Sequence, residues 1–434
     1  MADLMLIGAL LVIALFVVIG FVHRRRSRAS QVEYETRRKR HATFDDHLNT
    51  IFVSVPCYKD EPECARTLFD IFNEADCPWR ISAGVLHHVA DEHAPNPFDA
   101  SVTDAAAIMD DILGQYERLC SARNATSFAA NIRVIVRPAS EARGSLAARA
   151  AIEQQLFRKE RFFMTIDSHT RLARSWDTAL LDMYTQCFKL SPKPVLTTLP
   201  GNYQRDTSLP DDDRPTFTVV AGTDTNGFPK LRPIAYELTP VRCFPAPLFV
   251  PCFSFASSDM IREVPADALC EFLASGPATY VQSARYWTHG WDFMHPKAAV
   301  CYHLADKSYR RTSGEQIESS KDNMARQIRG VARALAALRR DQCVTCGTPR
   351  DEHTLDHGLG HDFEMTFPET GEVWRFGLGQ QRTLAAFEQH CGVRVPGQIA
   401  AKARIGCCDV VSTEELLAKF GRLDVYEMLL RQTT

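Results

Sequence analysis

Short runs of β-branched and aromatic residues alternate along this chain with stretches that carry apolar side chains every three to four positions, and no other feature restricts the fold as strongly. IFVSV at 51–55 reads as a strand ended by Pro56, 64–75 has helical spacing through Ala65, Leu68, Phe69 and Phe72, and ISAGVL at 81–86 reads as a second strand. The rhythm returns with a strand at 132–136, an Ala-rich helix at 145–157, the apolar strand FFMTI at 162–166, a helix at 176–188 and a strand at 195–198. Strand, helix, strand units build parallel sheet, so the expected class is α/β with a doubly wound, Rossmann-like sheet. Ligands bind such sheets beyond the carboxyl ends of the strands, which directs attention to the residues after Val55 and Ile166.

Composition removes two classes. With 45% hydrophobic residues and 50 basic against 53 acidic side chains, the 434 residues are neither a disordered chain nor a nucleic-acid binder, which would carry a basic excess. Fourteen cysteines are scattered without a disulfide framework and read as reduced thiols.

At the amino end, 4–22 (LMLIGALLVIALFVVIGFV) holds no charge, and as a helix of about 1.5 Å per residue it spans close to 30 Å. A cleaved signal peptide is the competing reading, but Asp3 is the sole early charge and His23, Arg24, Arg25, Arg26 and Arg28 follow the run directly. The expectation is one uncleaved transmembrane anchor, then a basic tether at 23–48 that also meets anionic headgroups, then the folded body at 49–434. Basic residues flanking a span stay cytoplasmic, so the single-pass protein places its body in the cytoplasm. One sequon, Asn124-Ala125-Thr126, supports the alternative of a Golgi or ER lumen.

The segment FFMTIDSHTR at 162–171 is the most informative for chemistry. An Asp and a His two apart at the tip of a buried strand, Asp167 and His169, can share one divalent cation. The plain alternative is a capping Asp and a surface His. Seven blocks extend the signal: IFVSVPCYKDEPE (51–63), EARGSLAAR (141–149), FFMTIDSHTRLARSWD (162–177), VLTTLPGNY (195–203), PCFSFASSDMIREVP (251–265), YWTHGWDFMHPKAAVCYHL (286–304) and FGLGQQRTLAAFEQHCGV (376–393). In this order they resemble glycosyltransferase family 60, the polypeptide α-N-acetylglucosaminyltransferases, which have the GT-A fold.

The resemblance implies Mn²⁺ or Mg²⁺ held by Asp167, His169 and a later histidine, best matched by His303, against the diphosphate of a UDP-sugar. It implies a retaining transfer, with GlcNAc from UDP-GlcNAc passing to a hydroxyl of a protein acceptor; a glycan or lipid acceptor is the variant. Without the resemblance, His303 reads as a core histidine. Arg143 and Gly144 precede a helix whose free N–H groups suit an anionic donor, Arg149 either adds a contact or merely lies in the helix, and Pro56, Tyr58 and Asp60 follow the first strand where this fold grips the nucleotide. Asp60 has the alternative of a helix cap.

One stretch departs from the family. Related retaining enzymes carry an acidic pair upstream of the W-T-H-G block, where this chain has Ala274 to Tyr280 without a carboxylate and Glu271 as the nearest acid. Asp292 and His289 are then the expected acceptor-side catalytic groups, with Trp287 and Trp291 either stacking on the acceptor or packing in the core. A protein that binds a sugar nucleotide or glycan without turnover is the reading from a different class. Finally, Cys343, Cys346, His353, His357 and His361 have ligand spacing for a structural Zn²⁺ knuckle inserted at 341–363, against a His-rich loop.

Overall fold

The computed structural model describes residues 48–91, 102–205, 209–210, 214–223, 228–235, 240–273, 275–306, 376–395 and 398–399, and parts of 322–338. The apolar run at 4–22, the tether up to 47 and the Cys/His segment at 341–363 lie outside the described residues. No helix among the described residues is long and apolar enough to cross a membrane.

In chain order the elements are β1 (Ile51–Tyr58), α1 (Glu61–Asn73), β2 (Ile81–Val89), α2 (Val102–Ala122), β3 (Ile132–Pro138), α3 (Ser145–Gln155), β4 (Phe162–Ile166), β5 (Thr170–Leu172), α4 (Trp176–Phe188), β6 (Pro194–Thr197), β7 (Gly201–Tyr203), β8 (Thr216–Thr223), β9 (Pro229–Ala235), β10 (Phe244–Pro245), β11 (Phe253–Ser257), α5 (Ser275–Thr288), β12 (Asp292–His295), β13 (Cys301–Leu304) and α6 (Leu384–Cys391). Eight strands form the central sheet in the order β10-β12-β6-β11-β4-β1-β2-β3. The half from β4 to β3 is parallel, as the sequence rhythm requires. The parallel arrangement stops at β11, which is antiparallel to both β4 and β6. Among the described residues no helix lies between β6 and β11; the chain passes through the β8–β9 hairpin and β10 and enters from the opposite end.

Side chains of the central strands divide by parity between two cores, as a period of two dictates. Phe52 and Phe163 pack on the face with Leu146, Ile152 and Tyr280. Ile51, Val53, Phe162 and Met164 pack on the other with Leu68, Phe72, Trp176 and Leu180.

The strand expected to stop at Pro56 continues to Tyr58. Pairing of β1 with β4 ends at Ser54↔Thr165, while pairing with β2 continues through Pro56↔Leu86. Beyond Ser54 β1 has a neighbour on one side only, where a residue lacking an N–H is tolerated. Helix α1 likewise starts at Glu61, three residues before the apolar spacing begins, because Pro62 suits a first helical turn.

A second sheet, β5-β13-β7, stands beside the carboxyl end of β4. Its register sets His303 opposite Thr170, and this delivers a side chain from 134 residues downstream to the loop that follows β4.

Candidate active site

Strand β4 is buried along its whole length, so Asp167, Ser168 and His169 are the first residues free to turn toward a ligand. The ligand atoms of Asp167, His169 and His303 all lie within 4.8 Å of one another. His169 Nε2 is 2.8 Å from His303 Nε2, and His303 Nε2 is 3.4 Å from Asp167 Oδ2. Two imidazole nitrogens and a carboxylate oxygen aimed at one point form a donor set that fits a divalent cation such as Mn²⁺. The expected triad is therefore brought together.

Electrostatics favour the ionised carboxylate. Burial pushes the Asp167 carboxyl up, but the hydrogen bond with His303 and the charges of Arg149, His169 and His303 outweigh it and hold the group well below the usual carboxylate range. Arg149, on α3, donates to Asp167 Oδ1 at 2.7 Å and to the Ile166 carbonyl at 3.2 Å, which ties the helix to the strand tip. Its guanidinium is thus committed to the carboxylate rather than idle in a helix.

Asp60 departs from expectation. It was expected to meet the nucleotide or cap α1, yet it is 2% exposed and its side chain makes no cap bond. Lys59 adopts φ 49°, a left-handed turn, and Asp60 points inward: Oδ2 is 3.5 Å from His169 Nδ1 and 3.3 Å from Ser168 Oγ. A carboxylate behind a histidine fixes which ring nitrogen carries the proton and leaves the other for the metal. The backbone of the loop is held as well. Thr67 Oγ1 donates to the carbonyls of Ser168 and Thr170 at 2.7 and 2.8 Å, the Leu304 N–H donates to the His169 carbonyl at 3.1 Å, and Arg171 pairs with the buried Asp70. These supports were not read from the sequence, because a Thr or Asp inside an amphipathic helix gives no sign of its partner a hundred residues away.

At the turn before α3, Gly144 adopts φ +92°, and a Cβ there would meet the Phe272 backbone at 3.0 Å. Phe272 N–H donates to the Arg143 carbonyl at 2.8 Å, so glycine is needed for both conformation and close approach. The Arg143 side chain is 3.9 Å from Glu271, which also pairs with Arg326 at 3.2 Å. Glu271 is the carboxylate that the structure sets against the Arg143–Gly144 turn, and its sequence position alone did not show this. Pro56 and Tyr58 are half-buried at the carboxyl end of β1, with the Tyr58 ring 6.2 Å from that of His88 on β2.

Asp292 and His289 are not brought to this cluster. Asp292 begins β12 level with Pro194, at the amino end of β6, while Thr197 is level with Thr165 through β11. Three strand spacings and five residues separate it from Asp167, roughly 20 Å. Its carboxylate is paired with Arg382 at 2.8 Å and accepts from Ser191 Oγ at 2.6 Å. His289 Nδ1 lies 2.7 Å from the Arg285 carbonyl. Trp287 and Trp291 are 9% and 2% exposed; Trp287 packs against Phe387, His390 and the Arg382 guanidinium, and Trp291 Nε1 donates to Glu263. This block anchors the 376–394 segment to α5 and β12, the core role that had stood as the alternative for the tryptophans.

No curated protein matches the chain. Among solved structures it is similar to S. aureus TarS 1-349 (11% identity, 69% of this chain and 75% of that one, TM-score 0.32) and to the same protein in complex with UDP-GlcNAc (12% identity, 66% and 71%, TM-score 0.31). It is also similar to the mannosyltransferase PcManGT from Pyrobaculum calidifontis in complex with GDP-Man and Mn²⁺ (12% identity, 74% and 84%, TM-score 0.32). The family model Glycosyltransferase (GlcNAc) matches residues 50–396, which include β1, the Asp167–His169–His303 cluster and the segment docked on α5, and the chain belongs to that family.

Proposed function

We propose that the protein is a metal-dependent GT-A glycosyltransferase that moves GlcNAc from UDP-GlcNAc to a hydroxyl of a protein acceptor. The observation that carries this is the convergence of Asp167, His169 and His303, braced by Arg149 and Asp60, at the carboxyl edge of the sheet. A divalent cation bound there supplies neutralisation of charge on the leaving diphosphate. Arg149 holds the Asp167 carboxylate in place, Asp60 and Ser168 orient the His169 ring, and the turn at Arg143 and Gly144 offers the α3 N–H groups to the donor. Transfer breaks the bond from the anomeric carbon to the β-phosphate oxygen and forms one to the acceptor oxygen. In the retaining course the acceptor enters from the face the diphosphate leaves, and the leaving phosphate takes its proton.

Glu271, paired with Arg143 and Arg326, is the carboxylate this reading assigns to holding the turn that meets the donor, and Asp292 is left to the fold. The same reading has the chain anchored by 4–22 with the body in the cytoplasm, and assigns one Zn²⁺ to Cys343, Cys346 and two of His353, His357 and His361. A second reading, a binding protein without turnover, draws support from the distance of Asp292 and His289 from the cluster. Donor hydrolysis separates the two. Purified protein with Mn²⁺ is expected to release UDP from UDP-GlcNAc ahead of other UDP- and GDP-sugars; tight UDP binding without release under any acceptor favours the second reading.

A further inference from the structure

The amino ends of the sheet strands carry a surface that the transfer reaction does not use. Six large hydrophobic side chains are exposed among the described residues, and four of them lie at this end: Leu48 at 54%, Trp79 at 37%, Phe188 at 56% and Leu190 at 58%. Leu48 precedes β1, Trp79 precedes β2, and Phe188 and Leu190 lead into β6. Aromatic contacts connect Phe188 to a strand end, since it stacks on Tyr184 at 6.2 Å and Tyr184 meets Phe162, the first residue of β4, at 5.1 Å. Arg161 and Lys189 are exposed beside them, with Arg161 donating to Asn49 at 2.9 Å. Among the described residues, Glu74 pairs with Arg174, Asp259 with Arg262 and Glu263 with Lys193 at this end.

We infer that this end is a bilayer-facing surface that rests on anionic lipid. Apolar and aromatic side chains mixed with exposed basic side chains suit the headgroup region, where Trp and Phe enter the interface and Lys and Arg meet acidic phosphates. Where the chain enters the fold identifies the occupant. Residues 23–47 connect the apolar run to Leu48, and 25 residues reach at most about 90 Å even when fully extended. The tether therefore joins the body at the end that carries these side chains, which keeps that end within reach of the bilayer. Asp167 lies five residues further along β4 than Phe162, about 16 Å toward the opposite end, so the metal site faces the aqueous phase and takes an acceptor from there. This inference rests on the anchor proposed above and not on the identity of the donor or acceptor.

The test uses the full chain in phosphatidylcholine vesicles with and without roughly 30% phosphatidylserine. A benzophenone side chain replaces Phe188, or, as control, the exposed Glu141 at the carboxyl end of β3. After irradiation, lipid adducts are expected to be about ten-fold more abundant at 188 than at 141, to fall without phosphatidylserine, and to fall again in R161Q/K189Q. Equal or absent lipid adducts at 188 in a chain that resists alkaline carbonate overturn the surface and leave the anchor standing. Release of the chain by carbonate overturns the anchor and the surface with it. Adducts at 188 between two copies of the chain overturn the lipid assignment in favour of self-association.

Discussion

Two places in this molecule gather a carboxylate, a histidine and an arginine, and they differ in what those groups face. At the carboxyl edge of the sheet, Asp167, His169 and His303 converge on one point with Arg149 beside them. At the amino end of β12, Asp292 is enclosed by Arg382 and Ser191, His289 contacts its own helix, and the tryptophans are buried. The first group has donor atoms aimed at a common centre. The second is saturated by the 376–394 segment, and what it holds is the fold.

The largest separation between the two places is expected in turnover. Asp167→Ala or His303→Ala should lower kcat for UDP release by roughly 10³-fold, whereas Asp292→Asn should change it only a few-fold per folded molecule, read from initial rates alongside circular dichroism. Equal losses would erase the comparison.

Stability against pH sharpens it next. Burial lowers the pKa of His88 to about 4 and of His295 to about 3, and both sit at carboxyl ends of strands. The unfolded chain takes up these protons near 6.5 while the folded one does not, so stability is full above pH 6.5 and falls as pH drops toward 4. His88→Gln should flatten that part of a denaturant-midpoint profile by at most about 3 kcal/mol. A profile with the same slope as wild type would assign the pH dependence elsewhere.

A smaller effect concerns Asp60. Asp60→Asn should weaken Mn²⁺ binding by roughly 10- to 100-fold, measured by electron paramagnetic resonance, while Asp292→Asn leaves it unchanged. The smallest concerns the second place: Arg382→Ala loses the Asp292 pair and the contact with Trp287 and should cost about 1–2 kcal/mol of stability with Mn²⁺ binding intact. If Arg382→Ala instead removes Mn²⁺ binding, the two places are coupled and their separation here is wrong.

Much of this was legible in the sequence because it depends on local pattern. Strand β4 and helix α4 begin and end where the apolar spacing sets them, and the D-x-H tripeptide at the tip of a buried strand pointed to the cluster. His303 was reached through family resemblance, since its own surroundings read as core. What was not legible depends on long-range packing. The reversal of β11 follows from the path of the chain through the β8–β9 hairpin, which no local spacing encodes. Asp60 reads as a nucleotide contact, with a helix cap as its alternative, because the residue before it gives no sign of a left-handed turn, and Asp292 reads as catalytic because Arg382 is 90 residues away.

The central claim is that Asp167, His169 and His303 bind the cation that the donor requires, and a direct Mn²⁺ titration of wild type and Asp167→Ala in the presence of UDP tests it. The account predicts saturable binding to wild type and its loss in a variant that keeps wild-type secondary structure and cooperative unfolding. Unchanged Mn²⁺ binding by folded Asp167→Ala would contradict it.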